Sequence, residues 1–183
     1  MTRSASAFVA LCLSVIAVQL KCQSSSHERL IDQALSAAPA GIAGEATVSM
    51  HQGGKWIELR HGNNGWTCTP PGKGDPQPEP ACFDTNGMAF LQAMEAGSTP
   101  DPAKPGYAYM LQGGSAWSNL DPDATHLPPG QKDYIHIPPH FMILSAKLAN
   151  ASGLPLHEAH PNTGQPFVMF GGTKYAILII PVK

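Results

Sequence analysis

Charge is scarce in this chain. Only 13% of its 183 residues are Asp, Glu, Lys or Arg, and 11 basic against 13 acidic residues give a formal net charge of −2. Such a composition excludes a coiled coil or a highly charged disordered tail. It also excludes the basic face that nucleic-acid binding needs, and no nucleic-acid partner is expected. Aromatic residues are few, at 7%. No Gly-rich phosphate loop of known spacing, dinucleotide fingerprint or Gly-x-Ser-x-Gly nucleophile pattern occurs, and no internal repeat is visible. Nucleotide chemistry and the common serine-hydrolase elbow therefore have no sequence support.

Glycine and proline are plentiful instead, at 18 each, beside a hydrophobic share of 43%. This length and composition predict one turn-rich domain behind a leader. Arg3 precedes a mostly apolar run from Ala5 to Leu20, with small residues after it. The run is shorter than the roughly 20 residues of a membrane-spanning helix. It reads as a secretory signal peptide over residues 1–24, cut somewhere within 17–26. An uncut anchor helix is the alternative. Cys22 also offers a lipid-anchoring site, although Lys21 stands before it where that processing wants a small residue. Residues 27–183 are then a single exported domain, periplasmic or extracellular, with no membrane span of its own.

Export sets the cysteine chemistry. Cys68 and Cys82 are the two cysteines beyond the leader, and neither has a second cysteine two or three residues away, as zinc and redox motifs do. An oxidising compartment predicts a Cys68–Cys82 disulfide. The segment it closes, Thr69 to Ala81, is too rich in proline for a helix or a central strand, so a staple suits it.

Hydrophobic periodicity predicts an α+β fold. An antiparallel sheet of about six strands would carry two or three short helices and long Pro/Gly-rich loops. Residues 27–38 carry an apolar helical stripe of Leu30, Ile31, Ala34 and Leu35. Strands are expected at 46–51, 55–60 and 66–69 as a three-strand meander. A helix capped by Asp84 or Thr85 should run to about Ala96, with Met88, Phe90, Leu91 and Met94 on its apolar side. A strand follows at 107–111, then a long polar loop from Gln112 to Lys132. Pro139 cannot donate to a ladder, so the next strand should open at His140 and run through Phe141 to Leu144. A helical turn is expected near 147–153. Two closing strands at 167–170 and 173–181 read as a hairpin across Gly171-Gly172.

Several stretches carry a resemblance. Gly62-Asn63-Asn64-Gly65-Trp66-Thr67-Cys68, Tyr109-Met110-Leu111-Gln112-Gly113-Gly114-Ser115, Ser118-Asn119-Leu120-Asp121-Pro122 and Pro138-Pro139-His140-Phe141-Met142-Ile143 are among them, with Asp84 after the second cysteine. Together with the closing Thr173-Lys174-Tyr175-Ala176 and Pro181-Val182, they resemble a group of uncharacterised secreted bacterial proteins. The likeness runs from about Glu45 to the end of the chain. It implies bacterial export and assigns neither a reaction nor catalytic residues.

Three chemistries can be assembled from what remains. Gln112, Ser115, Ser118, Asn119 and Asp121, with His140 facing them, offer hydrogen-bonding groups, mostly uncharged, suited to a small polar ligand or a partner surface. His136 and His140, with His157 and His160, would make a zinc or copper site if the two segments met, in a metal-binding protein or a metal-dependent hydrolase. Ser115 behind Gly113-Gly114, with His140 and Asp121, would make a Ser/His hydrolase. The non-catalytic binding module is the preferred reading, because no nucleophile motif supports the last and histidine spacing alone supports the second. No cofactor is expected on the preferred reading.

Overall fold

The structure is a computed structural model that describes residues 26–72 and 74–182. The signal-peptide expectation, with Cys12 and Cys22, lies outside those residues. An eight-stranded sheet forms the middle layer. Its strands are β1 Thr47–Gln52, β2 Lys55–Arg60, β3 Trp66–Thr69, β4 Ala81–Asp84, β5 Gly106–Met110, β8 His140–Leu144, β9 Phe167–Met169 and β10 Ile177–Pro181, in the order β2-β1-β3-β4-β5-β8-β10-β9. Two short strands, β6 Gly114–Ala116 and β7 Ile135–Ile137, pair as a separate ribbon. Helical segments lie at residues 26–35 (α1), Ala40–Ala43 (α2), Thr85–Glu95 (α3) and Ala146–Asn150 (α4). The fold is mixed α+β as expected, with more strands than the expected six and one helical segment beyond three.

Alternation along each strand divides the core. Phe83, Ala108, Met142, Leu144, Ile177 and Ile179 point to one face, where Phe90 of α3 and Ala116, Ile135 and Ile137 of the ribbon cover them. Cys68, Cys82 and Val48 point to the other, beneath Ala34 of α1. Val168 and Ala176 pack there too, beneath Ala149 of α4. Val48, Val168 and Ile179 are fully buried, and each such side chain contributes about 1.5–3 kcal/mol.

Local chemistry sets the element ends. Asp84, one of the two expected caps, closes the start of α3 by accepting from Gly87 N at 2.7 Å. Ser145 caps α4 in the same way. β8 opens at His140, directly after Pro139.

Three sequence expectations fail on pairing. β1, β2 and β3 are not a meander, because β3 pairs parallel with β1 on the side away from β2. β9 and β10 do pair antiparallel, yet residues 170–176 separate them, so Gly171-Gly172 is not a two-residue turn. Phe170 takes φ 58° there, and a Cβ on Gly171 would overlap the Leu156 backbone, so this connection is a tightly packed loop instead. Finally, the polar stretch after Leu111 is not wholly loop, because Gly114–Ala116 pairs with Ile135–Ile137.

Candidate functional site

The site is built outward from the disulfide. Cys68 and Cys82 face each other across the antiparallel β3–β4 pair, with Cα atoms 3.9 Å apart and a closed S–S bond. Both are fully buried, and the Cys82 sulfur lies 3.7 Å from Ala34 O of α1. The predicted disulfide is therefore present and sealed from solvent. It anchors both ends of the loop between β3 and β4.

That loop docks on the outer side of the β6–β7 ribbon. Ser115 Oγ accepts from Gln77 N at 2.8 Å and donates to Gln77 O at 2.7 Å. Trp117 Nε1 donates to Gly74 O at 2.6 Å. The Tyr134 ring meets the Trp117 ring edge-on at 6.2 Å and the His136 ring at 4.1 Å. Within the loop, Gln77 and Glu79 alternate with Pro76, Pro78 and Pro80, and proline fixes φ at each step. The result is a stiff rail with two polar side chains.

Between this rail and the ribbon lies an open cleft of about 490 Å³. Gln77 and Glu79 line it from the rail, Gln112, Gly113 and Gly114 form a floor over the buried His140, and His136, Ile137, Pro138, Thr163 and Gly164 complete the lining. Gly113 has φ 90°, and a Cβ on it would come within 2.9 Å of Ile137 O, so glycine alone fits this floor. His136 Nε2 lies 3.3 Å from Asp133 Oδ2. Gln112 Nε2 donates to Ser36 O at 3.0 Å, tying the floor to the segment after α1.

His140 lies beneath the floor, not in it. Its ring is 1% exposed, and a Cβ on Gly114 would sit 3.1 Å from its Cε1. It does face the start of the polar loop, as its position after Pro139 predicts. Its partner, however, is the Pro138 carbonyl, 2.8 Å from Nδ1, and not Asp121. A carbonyl only accepts, so Nδ1 carries the proton in the neutral ring. Burial pushes the imidazole pKa down, and the Pro138 bond opposes that shift.

The other residues singled out in the sequence serve the fold. Ser118 Oγ accepts from Leu120 N and Asp121 N within its own turn. Asp121 accepts from Asp123 N in a second turn. Asn119 is 1% exposed, and its Nδ2 donates to Glu158 O at 2.8 Å and Val168 O at 3.1 Å. These three hold loops together, and Gln112 alone of the polar set lines the cleft. Ser115 is bonded on both sides to Gln77, and no hydrogen bond joins it to His140 or Asp121 among the described residues. The proposed triad is not assembled.

The four-histidine site is not assembled either. Among the described residues no three His, Cys, Asp or Glu side chains converge in a metal-holding group. His140 is buried, His136 is paired with Asp133, and His157 and His160 are exposed on a separate loop. Gln77, Glu79, Thr163 and Gly164 were missed as site residues. The prolines flanking Gln77 and Glu79, inside a stapled segment, were the signal that could have marked the first two.

Comparison with protein-family models, with curated proteins and with solved structures finds no match. Among the described residues, no helix is long and apolar enough to cross a membrane.

Proposed function

We propose that this is an exported bacterial binding module, non-catalytic, whose small polar ligand or polar partner group sits in the cleft between the stapled loop and the β6–β7 ribbon. The observation that carries this reading is the cleft's construction. A disulfide, a proline rail and the paired hydrogen bonds of Ser115 all hold its polar lining in place before any ligand arrives. Pre-organisation of this kind lowers the entropic cost of binding. The disulfide also supports an oxidising compartment, periplasmic or extracellular, in line with the signal-like leader. The hydrolase and metal readings have less support, since Ser115 is committed to Gln77 and the histidines are dispersed.

A thermal-shift screen of polar small molecules on the purified protein, run beside metal analysis and an ester-hydrolysis assay, tests this. A ligand at 100 times its Kd stabilises by about 2.7 kcal/mol and raises Tm accordingly. Stoichiometric retained zinc or copper, or hydrolysis above background, would contradict the proposal.

A further inference from the structure

The hydrogen-bonding inventory of the cleft is lopsided, and the imbalance defines a ligand class. Ser36 O can only accept, so the Gln112 atom 3.0 Å from it is the amide nitrogen, and Gln112 is left with its carbonyl oxygen. Asp133 Oδ2 accepts from His136 Nε2–H, so the neutral tautomer that makes this bond carries its lone pair on Nδ1. Glu79 is a carboxylate with no ion pair or hydrogen bond among the described residues, and it too only accepts. Against these stand the Gln77 amide nitrogen and the Thr163 hydroxyl as side-chain donors. No lysine or arginine of the described residues lines the cleft.

We infer that the cleft takes a small organic cation rich in N–H donors, an amine or guanidine, with Glu79 as its counter-charge and Gln112 and His136 as further acceptors. This rests on the binding-module reading and narrows it. An anion such as phosphate would meet an unpaired carboxylate and few donors, and like-charge juxtaposition disfavours it. A neutral sugar would satisfy the acceptors, yet would leave the Glu79 charge uncompensated. An ammonium or guanidinium instead forms a charge-assisted bond, roughly twice as strong as a neutral one.

The test is amide chemical-shift mapping of the purified protein titrated with three probes, putrescine, glucose and inorganic phosphate, repeated for putrescine with Glu79→Gln. The expected result is saturable movement of the Gln77, Glu79, Gly113, Gly114 and His136 amides with putrescine, weakened about tenfold or more in E79Q, a loss of about 1.4 kcal/mol. E79Q is near-isosteric, and an unchanged spectrum away from the cleft confirms that it folds. Glucose or phosphate moving these amides while putrescine does not would overturn the ligand class and leave the binding module standing. Undiminished putrescine binding by E79Q would overturn the role of Glu79 and, with it, the inference. No cleft response to any probe would overturn the inference, and the module would then stand or fall on the thermal-shift screen alone.

Discussion

Ser115 grips Gln77 from both sides: its hydroxyl accepts from the Gln77 amide at 2.8 Å and donates to the Gln77 carbonyl at 2.7 Å. The two residues are 38 positions apart, so this clasp joins the stapled loop to the ribbon that floors the cleft. Ser115→Ala removes both bonds. Since they are partly solvated, the cost is about 0.5–1.5 kcal/mol, read as a lower urea midpoint. The Gln77 amide should exchange faster in deuterium. Unchanged exchange would mean that the disulfide alone positions the loop.

The disulfide makes a second prediction. Both sulfurs are buried beneath α1, so reductant should reach them only through opening of the fold. Native protein in a mild thiol should keep the bond for hours, whereas protein in denaturant should lose it at once, as seen by alkylation and mass measurement. Replacing both cysteines by Ala should cost about 3 kcal/mol on the chain-entropy account for a loop of this size. Rapid native-state reduction would show that α1 does not seal the bond.

His140 predicts a pH dependence. Its folded pKa lies below the ordinary 6.5, because burial disfavours the imidazolium. The unfolded chain then binds this proton at a higher pH than the folded chain does. Its contribution to stability is therefore complete above about pH 6.5 and is lost as pH falls from there through the folded value. Denaturant titrations across pH 7.5 to 4.5 should show stability falling with acidification, with a shallower fall in a His140→Phe variant. At neutral pH, His140→Ala should cost roughly 2–4 kcal/mol through a cavity and an unpaired carbonyl. His157→Ala, on the surface, should change stability by less than about 0.5 kcal/mol. The reverse order would make His157 the organising histidine.

Asn119 predicts the behaviour of the packed loop around Phe170. Its side-chain nitrogen donates to two backbone carbonyls, and its backbone carbonyl accepts from Phe170 N at 2.7 Å. Asn119→Ala leaves Glu158 O and Val168 O short of partners and should cost about 1–3 kcal/mol. Proton exchange at Phe170 should accelerate with it. A near-neutral stability change would mean that water replaces the amide.

Much of this fold could be read in the residues, and the failures share a cause. Proline before His140 and a capping Asp84 act within a few residues, so the β8 start and α3 emerged directly. Parallel pairing of β1 with β3 depends on which surfaces α1 covers, and no local pattern carries that. Strand β4 is four residues long and follows Pro80, and β6 is Gly-Ser-Ala, so turn chemistry masked both. The site was half legible for the same reason. Gln112 stood out as a polar residue after a strand. Gln77 and Glu79 looked like loop filler until the disulfide and Ser115 placed them against the ribbon.

On the binding-module reading, the polar cleft, and not the buried His140 or the loop from Ser118 to Asp121, is where this protein meets its ligand. The most direct measurement is a crystallographic soak of the protein with a mixed set of small polar fragments. The expected result is recurrent density between Glu79, Gln112 and His136, with the Ser115–Gln77 clasp intact. Fragments gathering instead around Asp121, or at His157 and His160 with the cleft empty, would contradict it.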